Sequence, residues 1–195
     1  MLDDIIYTFD KNFLRIKQLI KLYKDVLVPS NVSSKGDVLR AVTVLTHSTF
    51  EDFLRNLLRW KLPNADPDVL NKISLTGKER RTKIEFRDIV NLRGKTVDEV
   101  IKASIQEHLN KVSFNNTADI ESHLNDMGVD TNPLKKYYSM LNDMIKRRHN
   151  IVHKADRTND DDISKTRIKT IRISQVERWI ENVDSFVVDL ISQMR

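Results

Sequence analysis

Six consecutive residues, Arg148-His149-Asn150-Ile151-Val152-His153, are the chemically distinctive stretch of this chain. Arginine presents a planar, permanently charged fork that suits phosphate or carboxylate oxygens. Histidine titrates near neutrality and can act as acid or base. His149 and His153 are four residues apart and share a face if the segment is helical. Arg148 and His153 are five apart, about 140° around such a helix. One straight helix does not aim both at the same small target, so either its end distorts or a second copy of the chain completes the site. Leu134, Tyr138, Leu141, Ile145 and Val152 fall within about one 60° sector, and Arg148 lies about 40° from Val152, inside that apolar stripe. An unpaired charge there is costly, so Arg148 needs a carboxylate, a partner subunit or an anionic ligand. Two blander readings stand beside this one. Arg148 and His153 form an interface pair or a capped helix end, or His149, His153 and Asp156 ligate a metal. The second lacks the glutamate of a His-Glu-x-x-His zinc helix, because position 150 is Asn.

The elements that must position these residues read as helices. Residues 3–27 repeat apolar side chains at Ile6, Phe9, Phe13, Ile16, Leu19, Ile20 and Tyr23, the 3–4 spacing of one buried face. Pro29 ends that helix, because proline disfavours helix at the residue before it. A second helix, capped by Ser33, Ser34 or Asp37, runs to about Leu62 with Leu39, Val42, Leu45, Thr46, Thr49, Phe50, Phe53, Leu57 and Trp60 inward. After the break at Pro63 and Pro67, short helices are expected at 68–73, 86–92, 96–110 and 117–127. Thr96 and Glu99 form a capping box for the third of these, and Gly128 ends the fourth. Asn132 and Pro133 start the motif helix as N-cap and first residue. An acidic loop follows Ala155, residues 167–173 alternate in an extended manner, and Ser174 with Glu177 caps a final helix. This pattern predicts an all-α protein: an antiparallel helical bundle with a smaller helical insert at about 64–130, all within one domain spanning 1–195.

Composition excludes several classes. Four glycines and four prolines in 195 residues are too few for the turns of an all-β fold. No cysteine is present, which removes disulfide frameworks and thiolate metal sites and fits a reducing compartment, so a cytoplasmic location is expected. The acidic start Met1-Leu2-Asp3-Asp4 does not lead into a signal-type apolar run, and no membrane span is expected. A net charge of +5 permits a polyanionic partner without requiring one.

Arg148-His149-Asn150-Ile151-Val152-His153 is similar to the Arg–polar–three residues–His signature of the HEPN superfamily, within its R-x4-6-H consensus. Three further stretches resemble the RiboL-PSP-HEPN branch. They are Leu39-Arg40-Ala41-Val42-Thr43-Val44-Leu45-Thr46-His47-Ser48-Thr49-Phe50-Glu51-Asp52-Phe53-Leu54, Ser113-Phe114-Asn115-Asn116-Thr117-Ala118-Asp119-Ile120-Glu121, and the ending Ile151-Val152-His153-Lys154-Ala155-Asp156. The likeness extends from about Val38 to the C-terminus. Its motif stands near the end of the penultimate long helix, before a loop and one last helix.

The resemblance implies a metal-independent endoribonuclease, needing no cofactor and active as a homodimer whose two motifs face one cleft. RNA supplies its own nucleophile, the 2′-OH, so such an enzyme needs a base, an acid and positive charge on the phosphorane. On this resemblance Arg148 holds the scissile phosphate and His153 transfers protons. His149, at a position where the family often has Asn or Asp, orients the phosphate or shares the proton work. The expected products are a 2′,3′-cyclic phosphate and a 5′-OH. Glu51 and Asn150 are supporting candidates. Glu51 matches an acidic position on the early helix of related proteins, and it either holds Arg148 or is a solvated helix charge. Lys78, Arg80, Arg81, Lys83, Arg147 and Lys154 are candidates for holding the RNA backbone, against the plainer reading of a solvated charge run. Tyr137 and Tyr138 are candidates for stacking on bases, although Tyr138 lies on the core stripe. His47, His108 and His123 read as surface or boundary residues. The family suggests a toxin-type or antiviral-defence effector, with an antitoxin or regulatory protein as candidate partner. The alternative is a catalytically silent HEPN module that binds RNA or a protein; a third reading is a purely structural helical dimer.

Overall fold

In the computed structural model the first helix, α1 (Leu2–Asp25), buries Ile5, Phe9, Phe13, Ile16 and Ile20, the 3–4 stripe its sequence carries. The structure describes residues 1–25, 32–75, 86–158 and 167–195; side chains at 32–34 and 87 lie outside that description. The remaining helices are α2 (Val32–Lys61), α3 (Pro67–Leu70), α4 (Phe86–Val90), α5 (Val97–Leu109), α6 (Thr117–Asp126), α7 (Tyr138–Lys154) and α8 (Ile173–Ser192). Among the described residues there is no strand, and one isolated antiparallel bridge joins Arg157 to Ile168.

Side-chain pairs fix how the long helices run. Lys17 and Lys24 on α1 meet Asp184 and Glu177 on α8 at 3.3 and 2.7 Å, so those two helices are antiparallel. The Trp179 indole on α8 donates to Asp143 on α7 at 3.0 Å, while the Tyr137 hydroxyl donates to Asp189 at 2.7 Å, which sets α7 antiparallel to α8. Phe9 packs on Phe53 and Phe50 meets Phe186 edge to face, tying α2 to α1 and α8. The insert joins the same hydrophobic core through Ile105, Leu109, Phe114, Ile120 and Leu124. The expected capping box is present: the Thr96 N–H donates to Glu99 Oε2 at 2.7 Å and the Glu99 N–H to Thr96 Oγ1 at 3.2 Å. These bonds hold the Glu99 carboxyl below its ordinary range. Gly128, at φ +75°, ends α6 as expected.

Several expectations need correction. α2 starts at Val32, so Asp37 lies inside the helix and pairs with Arg40 Nη1 at 3.4 Å instead of capping. The motif segment opens as a 3-10 turn at Asn132–Tyr137, with no side-chain cap from the preceding Thr131, and becomes α-helical only at Tyr138. α8 begins at Ile173, straight out of an extended Arg172, without a cap from Ser174. Val152 is 49% exposed, because the apolar burial of α7 stops at Leu141, Met144 and Ile145. His47 is 1% exposed and Leu45 41% exposed, the reverse of the sequence reading. A one-face wheel does not describe α2, which packs against α1, α5, α7 and α8 together.

Candidate functional site

α7 is held along its length by polar pins on both sides. Asp143 takes the Trp179 indole, and Asn142 exchanges hydrogen bonds with Thr117 at the start of α6, donating to its hydroxyl at 2.8 Å and accepting its N–H at 3.2 Å. The end of the helix is fixed more firmly. Ala155 and Asp156 both adopt positive φ, +48° and +55°, and both direct their N–H groups to the Asn150 carbonyl. Left-handed backbone costs a non-glycine residue roughly 1 kcal/mol. Here it turns Asp156 into the protein, where the residue is fully buried. Its Oδ2 accepts from Arg40 Nε on α2 and Arg147 Nη2 on α7, each at 2.8 Å. The same guanidinium groups donate to the Lys169 carbonyl, at 2.7 and 3.1 Å, and Arg147 reaches the Thr170 carbonyl at 3.1 Å. The Lys169 N–H returns to the Asp156 carbonyl at 2.8 Å. Two partly buried cations, one buried carboxylate and two carbonyls thus lock the last turn of α7 to α2 and to the segment before α8.

Arg148 is treated differently. It is half-buried, its Nε is enclosed without a hydrogen-bond partner, and no carboxylate pairs with it among the described residues. His47 on α2, with both ring nitrogens enclosed, is close enough to feel the Arg148 charge. Burial first, and then the Arg148 charge, push the His47 pKa down, against opposing effects of Glu51 and a backbone group of Phe114. Glu51 Oε2 lies 3.7 Å from His47 Nδ1, while Oε1 accepts from Arg55 Nη2 at 2.9 Å. Arg55 also donates to the Leu109 and Val112 carbonyls and lies over the Phe114 ring. Glu51 is therefore engaged by its own helix neighbours and forms no ion pair with Arg148.

His149 and His153 are exposed, with ring centroids 4.7 Å apart. α7 stays helical through Lys154, so no distortion brings His153 round to Arg148. Arg148 is thus half-buried with its Nε enclosed, while His149 and His153 stand exposed on the outer face of α7. Asn150 is half-buried and its carbonyl caps the helix end. Among the cations proposed for RNA, Arg147 is 14% exposed and committed to Asp156. Lys154 is exposed, and Lys78, Arg80, Arg81 and Lys83 lie outside the described residues. Asp156 is committed to Arg40 and Arg147, which removes the third ligand from the metal reading. Neither tyrosine offers a free ring: Tyr137 meets Phe186 and Asp189, and Tyr138 has an enclosed hydroxyl whose pKa burial and Glu121 push up to about 12.

Sequence reasoning missed His47, Arg40 and the buried role of Asp156. A signal existed for the first, since His47, Glu51 and Arg55 recur every four residues on one helix.

No helix among the described residues is long and apolar enough to cross a membrane. No curated protein and no solved structure matches the chain. A protein-family model, RiboL-PSP-HEPN, does match, over residues 10–193. That span takes in most of α1, all of α2, α7 and α8 and the whole Arg148–His153 motif, and the chain belongs to the RiboL-PSP-HEPN family.

Proposed function

We propose that this HEPN domain is a metal-independent endoribonuclease and acts as a toxin-type or antiviral-defence effector. The observation that carries the reading is Arg148: a half-buried guanidinium with no carboxylate partner among the described residues, on the same helix as two exposed histidines. In this reading the cation binds an external anion, and the neighbouring imidazoles supply the groups that RNA cleavage needs. One histidine takes the proton of the 2′-OH as its oxygen attacks phosphorus. Arg148 holds the non-bridging oxygens while charge develops there. An imidazolium then protonates the departing 5′-oxygen. The products are a 2′,3′-cyclic phosphate and a 5′-OH end, and no metal is required. His153 is assigned to proton transfer; His149 shares it or orients the phosphate.

The regular course of α7 supports a homodimer as the active species. Arg148 and His153 diverge by about 140° on an undistorted helix, so a second copy is needed to bring the opposite groups to one phosphate. A strictly monomeric protein that cleaves RNA would overturn this part.

The test is incubation of total cellular RNA with purified protein in EDTA, followed by analysis of the new ends. Cleavage with 2′,3′-cyclic phosphate termini is expected. Salt-dependent RNA binding without cleavage would replace the proposal with the silent RNA-binding module.

A further inference from the structure

His149 and His153 carry a second chemistry besides proton transfer. They stand four residues apart on a regular helix, exposed, with ring centroids 4.7 Å apart and planes tilted by 44°. Two imidazoles at that spacing on one helical face are a recurrent chelating pair for zinc-like ions. The separation fits. An ion held by one nitrogen of each ring at about 2.1 Å, with the two bonds between perpendicular and tetrahedral, sets the ring centres about 5 Å apart. The backbone beneath is already fixed, because Asp156 ties the end of α7 to Arg40 and Arg147. Chelation therefore has only two side chains to order. The carbonyl end of α7 adds a partial negative charge beside the pair, since His153 lies in the last turn. Lys146 and Lys154 oppose it, but both are exposed and screened by solvent. His108 and His123 offer less. They are half-buried along one small cavity with Asp126, whose carboxylate already holds the Lys72 ammonium at 2.7 Å.

Resting on the ribonuclease reading, we propose that His149 and His153 of one chain bind a single divalent transition-metal ion, with water in the remaining positions, and that the bound ion shuts cleavage off. The ion here is an inhibitor, not a cofactor. A neutral imidazole has one lone pair. Once the metal takes it, the ring can no longer accept the 2′-OH proton, and no imidazolium forms to protonate the departing oxygen. Imidazole suits Zn²⁺, Cu²⁺ and Ni²⁺, whereas Mg²⁺ prefers oxygen ligands and keeps its waters, so the inhibition is selective.

The experiment titrates the metal-free full chain with Zn²⁺ by calorimetry and follows RNA cleavage separately. One ion per chain is expected. Loss of a metal's outer-shell partner already costs about 10- to 100-fold in affinity, so His149→Gln and His153→Gln should each weaken binding by at least that factor. His108→Gln and His123→Gln should bind as the wild type does. In the cleavage assay, saturating Zn²⁺ should stop the wild type, EDTA should restore it, and Mg²⁺ at the same concentration should leave it unaffected. Zn²⁺ binding undiminished in His149→Gln or His153→Gln overturns the proposal. So does binding abolished by the His108 or His123 variant, or full cleavage with the site saturated. A wild type that cuts nothing in EDTA sinks the ribonuclease reading separately, and the titration still decides whether the pair holds the ion.

Discussion

Arg147 and Arg148 are adjacent in sequence and receive opposite treatment from the fold. Arg147 donates through Nη2 to one buried carboxylate oxygen and two carbonyls, and with Arg40 it closes around Asp156. Arg148 has no acceptor and no ion pair among the described residues, and its charge helps lower the His47 pKa. The lesson is that a basic helix is not in itself an anion site. Arg147 is committed through Nη2 although its Nε lacks a partner, whereas Arg148 has no hydrogen bond or ion pair at all among the described residues. The clamp also serves the open site, because it fixes the turn from which Arg148, His149 and His153 project.

Ways to break this contrast follow in order of size. The largest effect is expected on the open side: His153→Ala should slow RNA cleavage by about 10²- to 10⁴-fold, the usual contribution of a positioned acid or base, with an unchanged melting temperature. Cleavage at the wild-type rate would remove His153 from the site. On the closed side, Asp156→Asn strips the charge shared by Arg40 and Arg147. It should cost about 3 kcal/mol in a denaturant melt, and a neutral outcome would mean that the clamp contributes nothing.

The next effect is pH dependence. Burial is the largest cause lowering His47, His108 and His123 below their ordinary value of 6.5. Between its lowered value and 6.5 each binds fewer protons folded than unfolded, so stability falls as pH drops through that window. Melting temperature should decline from about pH 7 to about pH 5, and less steeply in His47→Gln. A flat profile would contradict the burial of these rings. The smallest effect is at the turn: Ala155→Gly relieves a positive φ and should stabilise by roughly 1 kcal/mol, or about 2–4 °C. Destabilisation there would show that the turn is not strained.

Much of this was legible in the sequence, for a physical reason in each case. The helices announced themselves through 3–4 periodicity, the capping box through Thr96 and Glu99, and the family through its Arg–His spacing. What stayed hidden depends on more than one element at once. His47 was misread because α2 is buried on several faces, so no single stripe describes it. Asp156 stands beside the acidic run Asp160-Asp161-Asp162 and resembles the start of a solvated loop. Only the left-handed turn at Ala155 and Asp156 sends it inward, and glycine, the usual mark of such a turn, is absent. Glu51 reads from sequence as holding Arg148 or as a solvated helix charge, and its partner proved to be Arg55 on the same helix. The lysine and arginine cluster at 78–83 lies outside the described residues.

The most direct measurement is a comparison of Arg147→Ala with Arg148→Ala, each scored for cleavage of total RNA in EDTA and for thermal unfolding. Arg148→Ala should lose cleavage and keep its melting temperature, while Arg147→Ala should lose melting temperature. An Arg148→Ala protein that cuts RNA like the wild type, or that unfolds as readily as Arg147→Ala, would contradict the assignment of Arg148 to substrate rather than to structure.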